Sequence, residues 1–281
     1  MAEPVIFDTD IGTDIDDTYA LSFLLKCPEL DLIGVTVGHG PTMDRAKIAL
    51  KLLHAAGANR VQVHVGRECE AQVNQAPWAE DFGFLEPQHK PAPEYIVDTL
   101  RQRPGEITLI CVGPFTNLGD ALQLDPEVMK LARRIVIMGG CIGLEDGATS
   151  EPYPEYNVKT DVQASQAFFA SADNMTLVPL DVTRQVELTA EHRDRLAASD
   201  LPLPRALTEL YEYWPKETPV LHDPLAVGVA CSPRFCATRI MSVNVDDDGN
   251  TIVADDGNPM QVCSAVEAKE FTDFFVSRLL Q

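Results

Sequence analysis

No window of the 281-residue chain approaches the roughly 20 apolar residues that a membrane-crossing helix needs, so no spanning segment is expected. The opening MAEPVIFDTD carries neither a basic segment nor a long apolar core, and a cytoplasmic location is expected. Positive charge is scarce: 22 Lys and Arg stand against 43 Asp and Glu, for a formal net charge of -21. Such a surface repels polyanions and argues against nucleic acid or an anionic membrane as partner. It leaves room for a nucleoside, which carries no phosphate. The seven cysteines are odd in number and show no CxxC spacing, which fits scattered reduced thiols. There is no internal repeat and no linker, so a single domain over 1–281 is expected.

Aspartate, by contrast, is crowded into one place. The stretch FDTDIGTDIDDTYAL sets Asp8, Asp10, Asp14, Asp16 and Asp17 just after the apolar run Pro4-Val5-Ile6-Phe7. That run reads as a buried parallel strand, and Ile15 with residues 18–25 reads as the start of a helix. The carboxylates therefore fall at a strand-to-helix crossing, beyond the carboxyl end of a strand, where open α/β sheets place their ligands. Repulsion among them must be relieved by a cation, by protonation or by solvent. Oxygen-only ligands suit a hard ion such as calcium or magnesium. Helix capping accounts for one or two aspartates at such a place, not for all of them.

Further along, strands are expected over 31–38, 61–66 (with alternating burial), 107–113, 134–138 and 175–182. Helices are expected over 43–56, 93–102, from 114–117 to about 123, over 161–172 and over 222–231. Residues 69–91, with Trp78, Phe82 and Phe84, read as a long loop with room for a short helix. Residues 141–154 read as a polar loop, and 184–220 as mostly helical with breaks. The tail offers strands over 239–245 and 250–254, joined by an aspartate-rich turn, and a last amphipathic helix over 265–280. The alternation predicts an α/β protein with a mostly parallel central sheet and helices on both faces, Rossmann-like in plan.

Gly38-His39, Thr116-Asn117, Glu155-Tyr156-Asn157 and His222-Asp223 also lie just past a strand or at a helix start, and could converge with the opening motif. Together with Gly113-Pro114-Phe115, Met138-Gly139-Gly140 and Pro224, these strings resemble the inosine-uridine-type nucleoside hydrolase family over almost the whole chain. The opening string is two residues longer than the family's and lacks its proline, so Asp16 and Asp17 match the family's paired aspartates and Asp14 lies in the insertion.

The resemblance implies hydrolysis of the N-glycosidic bond of a ribonucleoside. It implies a calcium ion held by Asp10, Asp17, the backbone carbonyl of Thr116 and Asp223. Asp10 would be the general base for the attacking water, and His222 would protonate the leaving base. Asp16, Glu155 and Asn157 would hold ribose hydroxyls, with His39 and Met138 also on the substrate side. His39 stands where the family usually has Asn, and Thr149 where it has a second Asn. A homodimer or homotetramer is implied as well. Two other readings are open: an aspartyl phosphatase of the haloacid dehalogenase type, with Asp8 as nucleophile, and a catalytically silent ribonucleoside- or ribose-binding protein.

Overall fold

A computed structural model describes residues 2–144, 147–149, 151–214 and 218–281. The strands are β1 (Glu3–Thr9), β2 (Leu30–Val37), β3 (Gln62–Val65), β4 (Thr108–Cys111), β5 (Arg134–Met138), β6 (Met175–Val178), β7 (Cys236–Val245), β8 (Thr251–Val253) and β9 (Asn258–Val266). They form one nine-stranded sheet in the order β3-β2-β1-β4-β5-β6-β9-β7-β8. Every pairing from β3 through β9 is parallel; β7 runs antiparallel to both β9 and β8.

The helices are α1 (Asp16–Leu24), α2 (Thr42–Ala55), α3 (Ala92–Gln102), α4 (Thr116–Leu124), α5 (Tyr156–Thr160), α6 (Val162–Phe169), α7 (Leu180–Thr183), α8 (Ala190–Ala197), α9 (Pro202–Tyr211), α10 (His222–Cys231) and α11 (Ala268–Leu279). Val5 and Phe7 of β1 pack with α1, α2, α10 and α11 on one face. Ile6, on the opposite face of that strand, packs with α3, α4 and α6. A strand covered on both faces has no solvent side to make polar, which is why β1 reads as an unbroken apolar run. Its neighbours are β2 on one side and β4 on the other, so the direction of strand succession reverses there. A crevice opens at the carboxyl ends of strands at such a reversal. No helix among the described residues is long and apolar enough to cross a membrane.

The α/β plan agrees with expectation; three details differ. The strand expected over 175–182 ends at Val178, because Pro179 has no N–H to continue the ladder and instead leads into α7. Strand β9 is absent from the sequence reading, since its polar residues and Pro259 hide its period; it takes the first residues of the helix expected from 265. In β3, Val63 and His64 are both buried, breaking the expected alternation, because His64 stacks on the ring of Tyr95. Residues 145, 146 and 150 of the expected loop, and 215–217 of the expected helical run, lie outside the described residues.

Candidate active site

Just beyond β1 the chain must turn sharply to enter α1, and Gly12 makes the turn with φ of 116°. A side chain there would strike Ile48 and Val73. Gly113, just past β4, packs so closely that a Cβ would lie 2.7 Å from the Asp10 backbone nitrogen. These close approaches let the end of β1 and the turn after β4 share one wall of a cavity of about 560 Å3.

The aspartates of the opening motif separate into two kinds. Asp8 is structural: its Oδ1 accepts from Thr36 Oγ1 at 2.6 Å and Asn117 Nδ2 at 2.8 Å, and it does not line the cavity. Burial pushes its carboxyl up to about 7 against the pull of those two donors. Asp10, Asp14, Asp16 and Asp17 all line the cavity, and Asp223, in the first turn of α10, meets them from the other side. Oxygens of Asp16, Asp17 and Asp223 lie within 4.8 Å of one another.

Burial, and then mutual repulsion, drives the acidities of this group. Asp16, Asp17 and Asp223 are all held well above the ordinary carboxylate range, first by burial and next by neighbouring aspartates. Asp10 is raised by burial too, with Arg45 and His39 pulling the other way. Carboxylates that resist ionisation when bare are a site for a cation. The donors are all oxygen, which suits a hard divalent ion.

Arg45 is the residue that reading the sequence missed here. Its wholly buried guanidinium donates to the carbonyls of Asp10 and Ile11 and, through Nε, to that of His39. It reaches Thr13 Oγ1 at 3.1 Å and lies 3.8 Å from Asp10 Oδ2. The buried cation thereby pins the lengthened loop from below. On the outer side Thr13 donates to the carbonyl of Gln72, and Gln75 Nε2 donates to the carbonyl of Asp14. Thr13 and Asp14 are thus braced against the 69–91 loop, whose Asn74 also lines the cavity.

The opposite wall comes from β5 and α5. Glu155 caps α5: its Oε2 accepts from the backbone N–H groups of Gly140, Asn157 and Val158 at 3.0, 3.0 and 3.2 Å. Burial still raises its carboxyl above the usual range. Asn157 Nδ2 donates to the carbonyl of Val112 at 2.6 Å, and Asn157, Met138, Val112 and Glu155 all face the cavity. Thr116, whose backbone carbonyl the resemblance implies as a metal ligand, does not line the cavity. Its hydroxyl donates to Asp161 at 3.1 Å, and Val112 is the residue of the β4–α4 turn that lines the cavity. His39 is also set back. Held at φ of 61°, it meets the Tyr156 hydroxyl with Nε2 at 3.0 Å, and Tyr156 in turn lines the cavity. Thr149 bonds to Asp181 instead of lining the cavity.

His222 stands at the start of α10 and lines the cavity, with Nδ1 2.7 Å from Thr183 Oγ1. Beside it are three residues that carry no motif in the sequence. Leu180, Tyr153 and Arg184 line the cavity, the guanidinium lying 5.3 Å from the Tyr153 ring centre. Trp214 lines it too, while its neighbours Tyr211 and Tyr213 do not. Arg184 sits at the end of the helical turn that Pro179 starts, a signal hidden by the strand expected there.

Comparison with known proteins points the same way. The family model described as inosine-uridine preferring nucleoside hydrolase matches residues 5–273. A probable uridine nucleosidase 2 of Arabidopsis thaliana is 33% identical over 255 residues, covering 82% of this chain and 78% of that protein. The pyrimidine-specific ribonucleoside hydrolase RihA of Citrobacter koseri is 30% identical over 273 residues, covering 89% and 86%. Among solved structures, the plant nucleoside hydrolase PpNRh1 superposes with a TM-score of 0.88 at 26% identity, over 100% of this chain and 99% of that one.

Proposed function

The chain belongs to the inosine-uridine preferring nucleoside hydrolase family, and from that premise we propose that it cleaves the N-glycosidic bond of a ribonucleoside with Asp10 as general base and calcium as cofactor. The observation that carries the proposal is that one cavity holds both parts of the chemistry. Asp10, Asp16, Asp17 and Asp223 line it as an acidic cluster, and His222 lines the same cavity with Tyr153, Leu180, Arg184 and Trp214.

Asp10, Asp17 and Asp223 would hold the ion, and the backbone at Val112 is better placed than that of Thr116 to add a carbonyl. A bound divalent cation supplies Lewis acidity that makes a water easier to deprotonate near neutral pH. Asp10 takes the proton from the attacking water, and Arg45 beneath the loop keeps its carboxylate aimed. Asp16 and Asn157 accept and donate to ribose hydroxyls, and Glu155, Met138 and Tyr156 complete that wall, with His39 steadying Tyr156. Carboxylates around the sugar stabilise the positive charge that grows on the ribose as the bond breaks. Attack by water with no covalent protein intermediate inverts the anomeric carbon.

His222 delivers a proton to the departing base, its ring oriented by Thr183. Arg184 and Tyr153 are hydrogen-bond donors in the same cavity, suited to base carbonyl oxygens, so uridine heads the substrates to test. Asp8, engaged by Thr36 and Asn117 away from the cavity, is badly placed for the phosphatase reading. The deciding experiment is ribose release from a panel of ribonucleosides, with chelator and with calcium restored. Release that chelator abolishes and calcium returns supports the proposal. Tight nucleoside binding without release would leave a silent binding protein.

A further inference from the structure

Helices α1 and α10 both begin at the cavity, and they pack side by side. At their far ends is a second cluster. Cys27 follows α1, Cys231 closes α10, and their sulfurs lie within 4.8 Å of each other and of a Glu29 carboxylate oxygen. Two thiols and a carboxylate resemble a site for a soft cation, but the carboxylate corner is already taken. Arg278 Nη2 pairs with Glu29 Oε1 at 2.5 Å, and Nη1 donates to the Lys26 carbonyl at 3.3 Å. A guanidinium there opposes a metal ion and favours a thiolate.

The two sulfurs are also unequal in access. Cys27 is only 2% exposed, whereas Cys231 is partly exposed and lines a surface cavity of about 340 Å3. An accessible thiol with a buried one directly behind it is an attacking and a resolving pair. The other close cysteine pair, Cys236 and Cys263, is buried on both sides and offers no attacking thiol. We propose that Cys231 and Cys27 form a redox modification site that reacts with small-molecule disulfides and closes to an internal disulfide across the far ends of α1 and α10. The hydrogen bond from Cys27 also lowers the pKa of Cys231, and the same bond, with burial, raises that of Cys27.

The Cys231 thiolate attacks one sulfur of the disulfide RSSR, forming Cys231–S–S–R and releasing one RS⁻. Cys27 then attacks the Cys231 sulfur, and its S–S bond displaces the second RS⁻. Two protein thiols are oxidised, RSSR is reduced, and the two protein-borne protons end on the two released RSH. Side-chain rotation must bring the sulfurs to about 2.0 Å. The bond would close a loop of roughly 200 residues, so its effect on the unfolded chain is large.

The probe is oxidised glutathione, added to the intact protein at about pH 8, where thiolates exchange readily. Differential alkylation and peptide mass mapping then follow each cysteine. Cys27 and Cys231 are expected to vanish together into one cross-linked peptide pair that dithiothreitol reverses. The Tm should rise by about 5 °C. In Cys27→Ser, glutathione should remain on Cys231; in Cys231→Ser, Cys27 should stay reduced. Exposed Cys69 takes up glutathione independently and confirms that the reagent is active. Glutathione persisting on Cys231 of the unmodified sequence, or both thiols untouched while Cys69 reacts, would overturn the proposal. That wild-type map decides the matter even where a variant folds poorly. No readout depends on nucleoside cleavage, so this inference and the proposed reaction fail separately.

Discussion

The cavity's acidic residues and its Tyr153, Arg184 and Trp214 lining are built differently. The acidic side chains leave the backbone at strand termini and first helical turns: Asp10 after β1, Asp16 and Asp17 opening α1, Asp223 opening α10, with His222 beside it. Their positions follow from the sheet itself, and buried Arg45 and close-packed Gly113 leave the backbone little latitude. In the second group, Tyr153 comes from a loop, Arg184 from the end of a four-residue helix, and Trp214 from the segment after α9. Residues on rigid elements suit chemistry that needs exact placement; residues on connections suit recognition that varies among relatives. The contrast predicts that substitutions in the two groups separate reaction from base preference.

The largest effect should come from removing the cation. Chelation is expected to abolish ribose release, and calcium to restore it. The buried aspartates give this a pH signature. Because burial raises their pKa in the folded state, the metal-free native state binds more protons than the unfolded chain. That contribution to stability is present at low pH and is lost as pH rises through the raised values. The metal-free protein should therefore melt lower at about pH 8 than at about pH 5.5, and calcium should raise Tm more at the higher pH. Equal calcium effects at both would show that the aspartates are not the site.

Next in size is Asp10→Asn. Loss of a general base should lower kcat by about 10³-fold or more, with nucleoside binding largely kept. Unchanged turnover would remove Asp10 from the reaction and break the link between placement and chemistry.

The same contrast explains what could be read from the sequence. Strand ends and helix starts leave local marks, such as an apolar run, then aspartates, then helical spacing, so Asp10, Asp16, Asp17, Glu155, Asn157, His222 and Asp223 could be named in advance and all face the cavity. Thr116 does not line the cavity, for a geometric reason: in the β4–α4 turn, the residue nearest the strand, Val112, lines it, and Thr116 already belongs to α4. Arg45 was hidden because a cation on an amphipathic helix usually means a solvent face; only the folded loop shows four acceptors around it. Tyr153 and Arg184 meet across a gap of sequence that no period spans. Strand β9 was hidden because its ladder position, between β6 and β7, depends on partners far away in the chain.

His222→Ala tests the boundary between the two groups, since His222 sits beside Asp223 and lines the cavity with Arg184. General acid catalysis contributes about 10²-fold, and that loss should appear with uridine but shrink with a nitrophenyl riboside, whose leaving group needs no proton. Equal losses on both substrates would assign His222 to binding.

Arg184→Ala should have the smallest effect and the most specific one. The guanidinium lies over the Tyr153 ring and lines the cavity, so on the proposed reading it donates to a base carbonyl and takes no part in activating water. A hydrogen bond to a charged donor is worth about 1.5–3 kcal/mol, so kcat/KM for uridine should fall by about 10- to 100-fold. The nitrophenyl riboside, which lacks the base carbonyls, should be affected far less. Calcium dependence and the pH profile set by Asp10 should stay as they were. A matching loss on the riboside would mean that Arg184 shapes the reaction as well as the choice of base, and the two groups would then be a single machine.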